Sequence, residues 1–167
     1  MRAVQHIIIQ NEEADQRLDR LSKELGLLDQ ELSILDNEQS NIFWSRTKNL
    51  EVFKSLKSNL LRVVVPISET LHVIQKFKNY KIKYFIDWGG SLIWASFDEL
   101  NTKILNEIKD IVKKHQGYIT LIKVEEDLKA SADIFTIDPI KYKISEKIKR
   151  SFDPKRIFNP GKMYTGI

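Results

Sequence analysis

The sequence predicts an α+β fold with a ferredoxin-like βαββαβ core over about residues 60–124, in which helices cover one face of an antiparallel sheet. Short apolar runs alternate there with segments whose apolar residues recur at helical spacing. Gly89 and Gly90 separate two such runs and predict a tight turn between neighbouring strands. Gly117 ends the second helical segment. A strand and a helix at the N-terminus are expected to extend this layer.

The elements predicted before this core are separated from it by a polar link over residues 47–59, where we expect a subdomain seam. The predicted elements are a strand over residues 4–10, a helix over residues 14–25 ended by Gly26, a short strand over residues 31–35, and a helix that Asp36 or Asn37 caps and that contains Trp44.

Within and after the core, each helix is predicted from an N-cap residue followed by spaced apolar side chains. The predicted elements are a strand over residues 60–65 stopped by Pro66, a helix capped by Ser68 with Leu71, Ile74 and Phe77 on one side, strands over residues 82–87 and 91–97, a long helix capped by Asp98, a strand over residues 118–124, and a last helix that starts at Asp138 and Pro139 and carries Ile140, Ile144 and Ile148.

Composition excludes several classes of protein. The 167 residues are 42% hydrophobic and 30% charged, which is too apolar for a disordered chain. There is no cysteine, so disulfides and thiolate chemistry are excluded and a reducing cytoplasm is expected. No apolar run approaches the ~20 residues of a membrane span, so no direct membrane insertion is expected. The net charge of +4 comes mainly from lysines scattered over helix faces, which predicts a solvated surface rather than a nucleic-acid site.

Motifs for phosphate or metal binding are missing from the sequence. Only two of the six glycines are adjacent, and no glycine-rich pyrophosphate pattern occurs. His6, His72 and His115 share no ligand spacing, and no acidic partner is expected to complete a set, so we predict no metal site. No serine lies in a nucleophile-elbow pattern, and the catalytic residues stay unassigned.

Four side chains are candidates for a substrate pocket. Arginine is much scarcer than lysine here, so Arg46 and Arg62 stand out, because a guanidinium can bind a carboxylate through two parallel hydrogen bonds. Asp87 and Trp88 lie at the predicted hairpin turn, where they could form an aromatic wall beside a carboxylate. The alternatives are that Arg62 faces outward from its strand and that Asp87 only fixes its own turn.

The last residues form a turn-rich tail. Two prolines and a glycine fix its path, and Asp153 is expected to accept hydrogen bonds from the backbone N–H groups that follow it. The combination of prolines and aromatic residues predicts that the tail packs on something, in this chain or another.

The tail and the hairpin together resemble a known family. Phe152-Asp153-Pro154, followed after four residues by Asn159-Pro160-Gly161-Lys162-Met163-Tyr164, is similar to the C-terminal end of FAD-linked oxidases of the vanillyl-alcohol-oxidase type. The segment Asp87-Trp88-Gly89-Gly90 with Trp94 resembles the FAD-binding E subunits of bacterial glycolate oxidases. The segments Trp44-Ser45-Arg46 and Arg62-Val63-Val64-Val65-Pro66 also fit these subunits, so the resemblance covers nearly the whole chain.

This resemblance implies an oxidoreductase that converts glycolate to glyoxylate with FAD as hydride acceptor. Residues 1–151 would form the cap, or substrate, domain, and residues 152–167 a tail that reaches the flavin domain. Asn159, Pro160, Gly161 and Lys162 would bind the cofactor, with Lys162 favouring negative charge at the ring.

The family's FAD-binding domain is not found in these 167 residues, so it is expected on a separate chain. The chain alone is then expected to bind no FAD and to be inactive. The implied partners are that FAD-binding chain and further glycolate oxidase subunits, including an iron–sulfur subunit, in a cytoplasmic complex associated with the inner face of the membrane. The alternative is a non-catalytic remnant or protein-interaction domain.

Overall fold

The computed structural model describes residues 16, 19, 20, 23, 35–54, 59–136, 138–162 and 164. The chain divides into two compact units, Met1–Asn49 and Leu50–Ile167, and this division falls within the polar link at residues 47–59. The predicted strand over residues 4–10, the helix end at Gly26 and all but the last residue of the predicted strand over residues 31–35 lie outside the described residues; Leu35 is not part of a strand. The four described positions between residues 16 and 23 are helical, in agreement with the helix predicted there.

In the first unit, helix α1 spans Asn37–Lys48 and begins with a capping box. The Asp36 carboxylate accepts a hydrogen bond from the Gln39 N–H at 2.8 Å, and the Gln39 side chain accepts one from the Asp36 N–H at 3.1 Å. These two bonds satisfy N–H groups that have no partner inside the helix. Of the two predicted caps, Asp36 is the one that the structure uses.

The second unit contains a four-stranded antiparallel sheet in the order β2-β3-β1-β4. This order, with one helix after β1 and one after β3, confirms the ferredoxin-like α+β core. The elements are β1 (Asn59–Val64), α2 (Thr70–Phe77), β2 (Ile82–Asp87), β3 (Leu92–Phe97), α3 (Thr102–Lys114), β4 (Tyr118–Lys123), α4 (Glu126–Ser131) and α5 (Pro139–Phe152).

The main core lies between one face of this sheet and helices α2 and α3. Every second residue of a strand points to this face, which explains the period-two pattern of the sequence. Both helices contribute to a single apolar cluster, so they cover the same face, as predicted. The buried residues at its centre are Leu61, Val63, Val73, Ile74, Phe77, Ile93, Ala95, Phe97, Leu105, Ile108, Val112 and Ile119.

Two predicted helix caps are wrong. Ser68 lies inside a short 3₁₀ turn, Ile67–Glu69, and α2 starts only at Thr70 without a side-chain cap. Of the three residues predicted on the apolar side of this helix, Ile74 and Phe77 are buried and Leu71 is exposed. At α3 the cap is Asn101, whose side chain accepts a hydrogen bond from the Ile104 N–H at 2.9 Å. Asp98 is too early, because the chain must first bury Leu100 in the core.

Gly117 does follow the end of α3, but its role is steric. The left-handed position belongs to Gln116, with φ of 57°. A Cβ on Gly117 would lie 2.4 Å from a Val65 methyl and 2.5 Å from the Val64 carbonyl oxygen. The glycine therefore allows the start of β4 to pass close to the end of β1.

Candidate functional site

The sheet face opposite α2 and α3, here called the second face, carries a row of side chains across all four strands. Arg62 on β1 pairs with Trp94 on β3 and with Thr120 on β4. Trp94 pairs in turn with Phe85 on β2. Directly opposed residues of antiparallel strands project to the same side, so these four side chains are neighbours. All four are partly accessible to solvent.

Trp88 completes this group from the turn after β2. The Arg62 guanidinium carbon lies 4.7 Å from the centre of the Trp88 ring, a cation–π contact. This attraction needs no carboxylate. Among the residues that the structure describes, no acidic side chain lies within ion-pair distance of Arg62. The site thus holds a guanidinium that is oriented by a ring and able to bind an anion in a planar, two-pronged manner.

Local hydrogen bonds hold Trp88 in an unusual backbone conformation. Its φ is 53°, a left-handed value that is a rare outlier for a bulky residue. The Asp87 carboxylate accepts the Trp88 N–H at 2.7 Å, and the Ser91 hydroxyl donates to the Trp88 carbonyl at 3.1 Å. The Thr70 hydroxyl donates to the Gly90 carbonyl and ties the turn to α2. Strain of this kind persists only where the surroundings fix it, so the indole position is determined by the turn.

Aromatic side chains extend the second face beyond the tryptophans. The rings of Phe85 and Trp94 lie 6.4 Å apart, and Phe53 stacks on Phe85 at 5.7 Å. Phe53 and Phe85 are not among the residues selected from the sequence. Strand alternation could have placed Phe85 with Asp87, but Phe53 lies in the linking segment and reaches the sheet only through the fold.

Three of the four pocket candidates lie in the second unit. Arg62, Asp87 and Trp88 are together, with Asp87 fixing the turn that carries Trp88, which is the simpler role considered for it. Arg46 lies exposed in the last turn of α1, in the first unit.

The start of the tail is held by Asp153, which is buried directly after α5. Its carboxylate accepts hydrogen bonds from the Ile157 and Phe158 N–H groups, both at 2.9 Å, and lies 2.7 Å from Lys149 Nζ. Lys149 also donates to the Phe158 carbonyl. The hydrogen bond from Lys149, followed by those from the backbone, lowers the pKa of Asp153 to about 2. The predicted backbone bonds to Asp153 are confirmed.

The far end of the tail is held by Tyr164, which is buried. Its ring lies 6.0 Å from the rings of both Phe135 and Tyr142. Burial raises the pKa of the Tyr164 hydroxyl. The tail is therefore held at its start to the last turn of α5 and at its far end to Phe135 and Tyr142.

Between these anchors, residues 159–162 form an exposed turn, here called the tail turn. The Lys162 N–H donates to the Asn159 carbonyl at 3.2 Å. Asn159 and Gly161 are left-handed, with φ of 45° and 67°. A Cβ on Gly161 would meet no atom of the described chain within 4 Å. The four predicted cofactor-binding residues, including Pro160, thus lie together and face outward.

An exposed apolar surface leads into the tail. Ile140, Ile144, Ile148 and Phe152 recur every four residues along α5, so they lie on one side of the helix. The spacing agrees with the sequence pattern, but all four are exposed, with Phe152 84% accessible. Ile157 and Phe158 in the tail are also exposed. This set of six residues, here called the α5 ridge, is the kind of surface that marks an interaction site.

The fold also groups Glu69, His72 and His115, whose ligand atoms all lie within 4.8 Å of one another. This differs from the sequence-based expectation that no acidic residue accompanies the histidines. Separately, none of the described helices is long and apolar enough to cross a membrane.

Two comparisons with known proteins give a match. Residues 135–163, which include Asp153 and the tail turn, match the family model for FAD linked oxidases, C-terminal domain. Over 133 residues the chain is 27% identical to the glycolate oxidase subunit GlcE of Escherichia coli, and the match covers 78% of this chain and 33% of that protein. The chain thus spans about a third of the length of the curated relative it matches. These matches confirm the resemblance seen in the tail and hairpin: the chain is similar to a GlcE-like domain of the FAD-linked oxidase C-terminal kind.

Proposed function

We propose that this chain is the cap domain of a flavin-dependent 2-hydroxy-acid oxidoreductase that converts glycolate to glyoxylate. The observation that carries the proposal concerns the tail. The segment that matches the FAD-linked oxidase family is also the one that is anchored at both ends and exposed between them. An exposed turn on fixed anchors is suited to contact a second molecule with little loss of entropy.

The second face supports an acidic substrate. Glycolate has one carboxylate and one hydroxyl, and a guanidinium is the side chain best shaped to bind a carboxylate through two bonds. We therefore assign carboxylate binding to Arg62, with Trp88 holding the guanidinium in place. Asp87 positions Trp88 through its backbone N–H. The neighbouring aromatic rings would exclude water and strengthen this ion pair. Arg46 stays a second candidate on the first unit.

The tail turn fits the edge of a flavin ring. Asn159 and Lys162 are exposed hydrogen-bond donors, and the open space around Gly161 would let a ring approach the backbone. When bound, FAD supplies the hydride acceptor for the oxidation. Lys162 would favour negative charge at the ring. Because the 167 residues contain no glycine-rich phosphate loop, we assign the rest of the cofactor to an FAD-binding domain outside these residues.

The α5 ridge is the surface that we assign to contact with that FAD-binding domain, since it is continuous with the tail. The isolated chain is then expected to hold no FAD and to be inactive. Further glycolate oxidase subunits, including an iron–sulfur subunit, would complete the enzyme. We place this complex in the cytoplasm, at the inner face of the membrane, in keeping with the absence of cysteine.

The proposal is tested by co-expressing this chain with a polypeptide that carries the FAD-binding domain and purifying through a tag on this chain. The expected product is a complex with one flavin per pair, measured by its visible absorbance. Ile144→Asp on the α5 ridge should abolish co-purification. Lys143→Asp, at an exposed position outside the ridge, should not.

Two results would count against the proposal. A complex that never retains flavin would favour the alternative, a protein-interaction domain without catalysis. Equal recovery with Ile144→Asp would show that the FAD-binding chain docks elsewhere.

A further inference from the structure

Glu69, His72 and His115 meet where α2 begins and α3 ends. The Glu69 carboxylate oxygen Oε2 lies 2.5 Å from His115 Nδ1 and 3.6 Å from His72 Nδ1. The two imidazole rings are nearly parallel, with centres 6.0 Å apart. Two ring nitrogens therefore converge on one carboxylate oxygen.

This set of donors is the one that Zn²⁺ prefers. Zinc binds imidazole nitrogens and carboxylate oxygens at about 2.0–2.2 Å, and sites with three protein ligands leave a fourth position for water. Tetrahedral coordination at those lengths separates ligand atoms by about 3.3 Å. The separations of Glu69 from the two imidazole nitrogens, 2.5 and 3.6 Å, lie on either side of this value, and all three ligand atoms lie within 4.8 Å of one another. Small side-chain rotations would equalise them.

The fold places two of the three ligands firmly. Glu69 closes the 3₁₀ turn before α2, and His115 ends α3 with its N–H bonded to the Ile111 and Val112 carbonyls. Their side chains are only 30% and 23% exposed. His72 lies one turn along α2 from Glu69 and is 62% exposed, so it is free to adjust its rotamer.

We propose that Glu69, His72 and His115 form a binding site for Zn²⁺ that clamps the start of α2 to the end of α3. The alternative is an ion pair between Glu69 and His115 alone. His72 distinguishes the two, because an ion pair between helix ends does not need a second imidazole. The site lies among the helix ends, away from the row on the second face, so it stands independently of the proposed oxidoreductase function.

The test uses the full chain without a histidine tag and measures Zn²⁺ affinity by competition with a chromophoric chelator. We expect one equivalent to bind. His72→Ala should weaken Zn²⁺ binding by at least about tenfold. Even the loss of a residue that only hydrogen-bonds a metal ligand lowers metal affinity by ~10–100-fold. Gln75→Ala, an exposed change on the same helix, should leave the affinity unchanged.

A second readout does not depend on the variants folding. In NMR spectra of the unmodified chain, Zn²⁺ should shift the imidazole signals of His72 and His115 and leave those of His6 in place. Equal affinity in the wild-type chain and His72→Ala would overturn the proposal. So would imidazole signals of His72 and His115 that do not respond to Zn²⁺.

Discussion

The guanidinium of Arg62 lies over the ring of Trp88, with 4.7 Å between its carbon and the ring centre. The two residues come from different elements, the middle of β1 and the turn that follows β2. Trp88 adopts a left-handed backbone to reach this position. A surface contact that requires such a conformation contributes little net stability, so we interpret it as orientation of Arg62 for a ligand.

Replacing Arg62 by Gln should raise the KM for glycolate in the completed enzyme by about 10–100-fold, the value of one or two charge-assisted hydrogen bonds. Thermal unfolding of the isolated chain should hardly change, because Arg62 is only half-buried. Steady-state kinetics with varied glycolate measure the effect. Lys113→Gln, which removes one positive charge from the exposed side of α3, is the matched control. An equal rise in KM in both variants would mean that only net charge matters.

Replacing Trp88 by Gly should change the free energy of unfolding by no more than about 1 kcal/mol. The loss of a cation–π contact, ~0.5–1 kcal/mol at exposed sites, is offset by relief of the left-handed conformation. Trp88 is 56% exposed, so little packing is lost. Urea unfolding gives the value. Phe97→Ala serves as the reference. Phe97 is fully buried in the core, so its truncation should lower the free energy of unfolding by about 3–5 kcal/mol. A Trp88→Gly loss of that size would show that Trp88 belongs to the core.

The Asp153 carboxylate should make stability depend on pH in the acid range. Its pKa is lowered to about 2 in the folded chain, against about 3.9 for an unperturbed aspartate. A lowered folded pKa contributes stability that is complete above the unfolded value and is lost as the pH falls through the folded value. The difference in unfolding free energy between wild type and Asp153→Asn should therefore be largest above about pH 4 and shrink towards about pH 2.

Urea unfolding of both chains at several pH values measures this difference. Glu126→Gln, which removes an exposed carboxyl group, is the control for the loss of one negative charge. A constant difference for Asp153→Asn across the same range would contradict the assigned bonds to Lys149 and the tail backbone.

Gly161→Ala should lower the free energy of unfolding of the isolated chain by about 1–2 kcal/mol, since a Cβ there meets no atom of the described residues and the left-handed φ opposes it. In the completed complex the same change should weaken flavin retention, because the added methyl would face the bound ring. Flavin content after gel filtration, compared with thermal melts of the isolated chain, separates the two effects. Unchanged flavin content would make Gly161 a merely structural residue.

Gly117→Ala is the contrasting glycine substitution, because a Cβ at Gly117 would clash with its neighbours, and it serves as a control for folding. A methyl there would contact the Val64 carbonyl and the Val65 and Val112 side chains at 2.4–2.8 Å. Overpacking of this kind should lower the free energy of unfolding of the isolated chain by about 2–4 kcal/mol. A melting temperature close to that of wild type would show that the β1–β4 edge can separate freely.

Much of the core could be predicted from the sequence, because period-two and helical patterns are local. The alternation in β1 puts Arg62 on the face opposite Leu61 and Val63. Its partner Trp94 depends on the strand register and could not be read from either strand alone. The choice of Asn101 over Asp98 as a cap likewise depends on the burial of Leu100.

Groups of residues that the fold assembles from distant segments could not be predicted from local sequence patterns. Glu69 and His115 are 46 positions apart and meet only because α2 begins where α3 ends. The spacing of Ile140, Ile144 and Ile148 predicts one apolar face on α5, but not whether this chain buries it. Exposure of that face is a property of the assembled unit.

The proposed role of this domain is to close over a flavin and to bind a small hydroxy acid there. Its most direct test is anaerobic addition of glycolate to the flavin-containing complex of this chain with its FAD-binding partner, followed by visible absorbance. We predict that glycolate bleaches the flavin bands and that Arg62→Gln shifts the bleaching to much higher glycolate concentrations. Flavin bands that stay unchanged at saturating glycolate would contradict the account.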